Sequence, residues 1–207
     1  MGRTFNSAQG CVNIKRVIVI GWERGEQLPA SLTERFAAIK VGDPKAEATQ
    51  LGPVAMERAL DTLLNQLADA TAAGARVVVG GHRVDRPGFF LDPSIVTDIA
   101  PDNPLYQCEA FGPVLSFYVV DSEEEALALA NATKDGLGGY VFDTDVERAK
   151  EVAARIGSGM VYSNSCFFDS PRMPFGGVKN SGFGRELSEL GIGESLNRKL
   201  IRVVEPA

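Results

Sequence analysis

"PVLSFYVVDSEEEALALAN", residues 113–131, joins two structural elements with no linker between them. PVLSFYVV (113–120) is rich in β-branched and aromatic residues and reads as a strand. DSEEEALALAN (121–131) then opens a helix, because Ser122 and Glu125 have capping-box spacing, in which side-chain oxygens satisfy the free N–H groups of a first turn. A strand followed at once by a capped helix is the repeating unit of an α/β fold.

The same alternation extends in both directions. Upstream, KRVIVI (15–20) is a short apolar strand. PVAMERALDTLLNQLADATAAG (53–74) predicts a helix with Pro53 at its first position, leucines at 60, 63, 64 and 67, and Gly74 as its stop. ARVVVGG (75–81) follows as a buried strand ending in a turn. Downstream, GGYVFDT (138–144) predicts a strand, and Thr144 with Glu147 a second capping box. Val146, Ala149, Val152, Ala153 and Ile156 line one face of the helix it starts, and Gly157 ends it. GMVYSN (159–164) and KLIRVVE (199–205) complete the strands, the last expected to pair outside the main sheet. GWERGEQLPASLTERFAAI (21–39) lacks a clean amphipathic pattern, and Gly25 and Pro29 are expected to break any helix there. The fold class is α/β, a three-layer domain with a mostly parallel sheet, with no internal boundary before about residue 195.

Composition narrows the function. A chain of 207 residues, 44% hydrophobic and 23% charged, buries a sizeable core. Its net charge of -6 and scattered Lys and Arg argue against nucleic acid, which demands a basic surface. No apolar run approaches the roughly 20 residues that span a bilayer, and the first ten residues carry no secretion-signal core. Cys11, Cys108 and Cys166 are odd in number and widely spaced, which fits reduced thiols in the cytosol. Without a CxxC, and with His82 the only histidine, no metal site is expected. The 22 glycines include G-x-G at 136–138 and 182–184, but neither string has the third glycine, or the strand before and helix after, of a dinucleotide fingerprint.

Cys11 is the first candidate for chemistry. Ser7, Ala8 and Gly10 leave room for a carbonyl to approach, and a backbone N–H nearby could hold an oxyanion. Local chemistry alone favours a structural cysteine beneath the strand that follows.

The wider context favours the first reading. FNSAQGCVNIKRVIV (5–19) resembles the active-site segment of the aldehyde dehydrogenase superfamily through Asn6, Gln9, Cys11 and Arg16, with Ala8 where relatives carry glycine. The resemblance continues in family order. It runs through KVGDP (40–44), LGPVA (51–55), GARVVVGG (74–81) and FFLDPSIVTDI (89–99), then EAFGPV (109–114), NATKDGLGGYVF (131–142) and MPFGGVKNSGFGRE (173–186). Departures are Ser94 for threonine, Asp135 for tyrosine, and Cys108 where relatives usually have a second acid. Within the superfamily the likeness is greatest to bacterial succinate-semialdehyde dehydrogenases, through GFGRELSELGI (182–192) and Arg172.

The resemblance implies oxidation of a small aldehyde to a carboxylate with NAD or NADP as cofactor. Cys11 would be the nucleophile, Glu109 would accept hydrogen bonds from the nicotinamide-ribose hydroxyls, and Phe111 would pack near the nicotinamide. Phe5 and Phe175 would line the aldehyde tunnel, and Arg172 would grip a substrate carboxylate. Plain readings stand beside these: Glu109 as a solvated loop carboxylate, Phe111 and Phe175 as core, Arg172 as a surface arginine.

Residues 1–198 correspond to the family's catalytic domain, and 199–207 to the strand through which subunits join into homo-oligomers. The family's general-base glutamate, its oxyanion-hole asparagine and most of its dinucleotide-binding domain lie upstream of the nucleophile. The chain is therefore expected to be a catalytic-domain fragment with little or no turnover alone. Two other readings remain at this level: a non-catalytic oligomerising remnant, and a cysteine hydrolase with His82 as base.

Overall fold

The computed structural model describes residues 2–166 and 170–206. They form two compact units, one ending at Lys134 and one beginning at Asp135. The first contains β1 (Arg16–Ile20), α1 (Trp22–Ala37), α2 (Glu57–Ala72), β2 (Arg76–Val79), β3 (Ser94–Thr97), α3 (Pro104–Gln107), β4 (Val114–Val120) and α4 (Glu123–Asn131). Its sheet has the order β1-β4-β3-β2. β4 pairs in parallel with β1 and β3, and β2 joins antiparallel at the edge.

Side-chain alternation divides this unit into three layers. Ile95, Leu115 and Phe117 face α1 and pack with its Phe36 and Leu32. Val96, Val114 and Tyr118 point the other way and meet Leu60, Leu63 and Leu67 of α2. Period two in the strands and period 3.6 in the helices thus bring two apolar faces onto one sheet. Arg16 of β1 bonds Leu129 O at 3.1 Å and Ala130 O at 3.4 Å, placing a cation at the C-terminal end of α4.

Several expectations need correction. α1 is continuous through Gly25 and Pro29. Gly25 does not break the helix. A β-carbon there would lie 2.5 Å from Val119 Cγ1, so the glycine lets α1 settle onto β4, and that packing outweighs the hydrogen bond lost at Pro29. α2 starts at Glu57 with Met56 as its N-cap, so Pro53 lies in the extended segment before it. Gly74, at φ +94°, ends it as expected. Ser122 caps α4, its Oγ accepting from Glu125 N–H at 3.2 Å, while Glu125 reaches back to Asp121 N–H at 2.8 Å.

The second unit contains β5 (Asp135–Gly136), β6 (Gly138–Val141), α5 (Val146–Arg155), β7 (Met160–Ser163), β8 (Val178–Lys179) and α6 (Ser188–Glu194). β6 and β7 pair in parallel, and β5 and β8 antiparallel. The cap of α5 is Asp145 rather than Thr144: its Oδ1 accepts from Glu147 and Arg148 N–H at 3.0 and 3.1 Å. Arg185 bonds Gly177 O and Gly184 O, tying the glycine-rich stretch to itself. KLIRVVE forms no strand: residues 199–205 take no regular structure, and Leu200 and Val203 are 92% and 85% exposed. A strand needs a partner for its backbone groups, and none reaches this segment among the described residues.

No described helix is long and apolar enough to cross a membrane. Leu60 is fully buried at the centre of the α2 face. Leu60→Ala should therefore cost about 2–5 kcal/mol, read as a lower urea midpoint with an unchanged slope.

Candidate functional site

Topology brings the first unit's candidate residues together. β1 and β4 are parallel neighbours, with Arg16 opposite Ser116. The segments that enter them, residues 10–15 and 109–113, therefore arrive at the same end of the sheet. Ser116 N–H donates to Lys15 O at 3.0 Å, so the pairing begins before the strand proper.

The Cys11 turn is built from unusual backbone. Asn6, Ser7 and Ala8 all have positive φ, at 50°, 51° and 60°. Ala8, where relatives carry glycine, is nonetheless fully buried in this left-handed conformation. The bend is held by side chains: Asn13 Nδ2 donates to Arg3 O at 3.1 Å and Phe5 O at 2.9 Å. Gln9 Oε1 accepts from Ala55 N–H at 3.0 Å, which gives the LGPVA segment a place beside the turn. Cys11 itself is exposed and free.

Opposite lies the loop from Cys108 to Pro113. Asn103 sets its approach. Its Oδ1 caps α3 through Leu105 N–H at 3.0 Å, and its Nδ2 bonds Ala70 O at 2.8 Å at the end of α2. The glycine of the FGPV string has a packing reason: a β-carbon on Gly112 would collide with Leu63 of α2. Phe111 stays 41% exposed rather than joining the core.

Two cations bridge turn and loop. Lys15 Nζ lies 2.7 Å from Glu109 Oε1, 2.7 Å from Cys11 O and 3.0 Å from Gly10 O, with the Phe111 ring centroid 4.8 Å away. Arg3, only 5% exposed, donates to Ala110 O at 2.6 Å, to Gly112 O, and to Ile14 O at 3.2 Å. Burial pushes the pKa of Arg3 down to about 10 and lowers that of Lys15 from the ordinary lysine value, and in both cases the Glu109 charge works in opposition. Arg3 therefore stays cationic at neutral pH.

A cleft of about 220 Å³ adjoins this loop, with Glu109 and Phe111 on one wall and Met56, Arg58, Ala59 and Thr62 at the start of α2 on the other. Pockets that bury a drug-sized ligand run to roughly 300–1,000 Å³.

The remaining candidates fall elsewhere. Phe5 is 56% exposed, one residue ahead of the left-handed bend. Arg172 and Phe175 belong to the second unit, where Arg172 is exposed and Phe175 pairs its backbone with Glu186 at 2.7 and 2.8 Å. His82 is exposed in the turn after β2 and makes no polar contact with Cys11 among the described residues, so nothing supports it as a base. No cluster of three or more metal-ligating side chains occurs among the described residues. Sequence reasoning missed Lys15 and Arg3. Lys15 looked like the first residue of a strand and Arg3 belonged to no motif, and a buried role for either is a long-range property.

Arg3→Leu would strip three backbone carbonyls of a charged donor, at an expected cost of about 3 kcal/mol. Urea unfolding measures this, and a loss below about 1 kcal/mol would mean that the clamp adds little.

Comparison with known proteins identifies this architecture. Residues 1–201 match the model of the aldehyde dehydrogenase family. A succinate-semialdehyde dehydrogenase [NADP(+)] of Deinococcus radiodurans is 45% identical over 201 residues, which are 97% of this chain and 42% of that protein. A probable enzyme of the same name from Synechocystis is 41% identical over 96% of this chain and 44% of its own. Among solved structures, the succinic semialdehyde dehydrogenase of Streptococcus pyogenes in complex with NADP+ superposes with a TM-score of 0.94 at 42% identity, covering 99% of this chain and 45% of its own. Betaine aldehyde dehydrogenase of Staphylococcus aureus in complex with NAD+ gives 0.91 at 31% identity, with 99% and 43% covered. The chain thus spans less than half the length of these relatives, and it belongs to the aldehyde dehydrogenase family.

Proposed function

We propose that the chain supplies the nucleophile and one wall of the cofactor site for oxidation of a small aldehyde, succinate semialdehyde or a close analogue, to its carboxylate. The observation that carries this is the meeting of an exposed thiol turn with an exposed carboxylate and ring, Cys11 with Glu109 and Phe111, at one end of a parallel sheet. In this reading the Cys11 thiolate adds to the aldehyde carbon to give a thiohemiacetal. Loss of hydride leaves a thioester, and water then releases the acid and the free thiol. A bound nicotinamide dinucleotide supplies the two-electron acceptor. Glu109 orients its ribose through Oε2, and Phe111 offers a face for the ring beside it. NADP+ is the first cofactor to test, because it stands in the names of the relatives above.

The assignments in the second unit rest on family position: Phe175, with Phe5 of the first unit, as tunnel lining, and Arg172 as the partner of a substrate carboxylate. Residues 1–198 serve as catalytic domain, and 199–207 as the strand that joins a second copy. The exposure of Leu200, Ile201, Val203 and Val204 supports this, since such a stretch gains most by pairing with another sheet edge. Three free cysteines support a reducing, cytosolic setting.

Alone, the 207-residue chain presents one carboxylate and one ring to the cofactor. Little or no NADPH should form from NADP+ and succinate semialdehyde at 340 nm. Fused behind the upstream portion of the Deinococcus radiodurans relative, it should turn over, and Cys11→Ser in the fusion should lower the rate by more than about a thousandfold. Turnover that survives Cys11→Ser would remove the thiol from the mechanism.

A further inference from the structure

We propose that Lys15 is a positioning residue that latches the Cys11 turn to the Glu109 carboxylate, so that the state of the carboxylate is felt at the thiol. The latch follows from donor arithmetic. An ammonium has three N–H donors, and Lys15 spends all three within 3.0 Å, on Glu109 Oε1, Cys11 O and Gly10 O. Two of those acceptors are backbone carbonyls of the nucleophile turn, and the third is the side chain expected to meet the cofactor ribose. The Phe111 ring, 4.8 Å from Nζ, closes the remaining side. The Lys15 side chain is 16% exposed, so water competes weakly for these bonds.

The parts depend on one another. Desolvation and the Arg3 charge disfavour the Lys15 charge, while the Glu109 hydrogen bond and charge, and the neighbouring Cys11, favour it. Neutralising Glu109 removes the hydrogen bond and the charge that favour the ammonium, and so shifts Lys15 toward the neutral amine, which holds the two carbonyls less strongly and offers no positive charge beside Cys11. A ribose hydroxyl that draws on the same carboxylate perturbs the same network. Arg3 fixes the loop backbone at Ala110 and Gly112 and leaves the Glu109 side chain to Lys15.

This inference rests on the reading of Cys11 as nucleophile and Glu109 as the cofactor's carboxylate, yet its test needs neither turnover nor cofactor. The alkylation rate of Cys11 by iodoacetamide is measured in the 207-residue chain by peptide-resolved mass spectrometry, for the wild type, Lys15→Met, Lys15→Arg, Glu109→Gln and the double variant Lys15→Met/Glu109→Gln. Lys15→Met is expected to slow Cys11 alkylation by about threefold or more, the size of coupling seen between contacting residues. Glu109→Gln, nearly isosteric and on a side chain 37% exposed, should fold normally and slow it as well. The double variant should be no slower than Lys15→Met, because both changes cut one connection. Lys15→Arg should keep more of the rate than Lys15→Met. The latch is overturned if Glu109→Gln leaves Cys11 unchanged, if the two effects multiply, or if Lys15→Arg is as slow as Lys15→Met. Coupled alkylation with an inactive fusion would refute the redox reading alone, and an active fusion without coupling would refute the latch alone.

Discussion

A buried guanidinium holds the first unit's site in place. Arg3 reaches across 107 and 109 residues of sequence to the carbonyls of Ala110 and Gly112, and also bonds Ile14 O. The carbonyls of Ala110 and Ile14 lie in loops and, left unpaired, would oppose burial, while Gly112 O also accepts from Val114 N–H at 2.7 Å. With them satisfied, the loop can sit tightly enough on α2 that Gly112 has no room for a side chain. Glu109 and Phe111 are then presented outward from a fixed backbone, which is what a binding surface for a rigid ligand requires.

The sheet provides the coarse alignment and the cations the fine one. Parallel pairing of β1 with β4 brings two distant segments to one edge, at the spacing of adjacent strands. Such pairing fixes backbone register but leaves the loops ahead of each strand free to diverge. Asn13 and Gln9 restrain the turn on one side, Asn103 the loop on the other, and Lys15 spans the gap. Polar side chains acting on backbone carbonyls thus set the position of the thiol, while the apolar core sets that of the strands.

Much of this was legible in the sequence, for local reasons. β4 and α4 appear in PVLSFYVVDSEEEALALAN because propensity and capping agree there. The order of motifs carried the family, with Cys11, Glu109 and Phe111 as its site candidates. What failed was decided at long range. Gly25 and Pro29 look like breakers until Val119 is seen beneath the helix. The start of α2 shifted because Pro53 is held in an extended segment, and the α5 cap moved by one residue to an aspartate with better reach. Lys15 and Arg3 carry no motif, since their meaning lies in residues about a hundred positions away.

The Lys15–Glu109 pair has a chemical consequence of its own. A neutral lysine amine condenses readily with aldehydes to form imines, and burial alone would push Lys15 toward that neutral form. Beside a thiol proposed to handle aldehydes, a free amine would be a competing trap for the substrate. The bond to Glu109 Oε1 at 2.7 Å favours the protonated form, which has no lone pair to offer. The carboxylate thereby works against the nitrogen as a competing nucleophile beside the thiol.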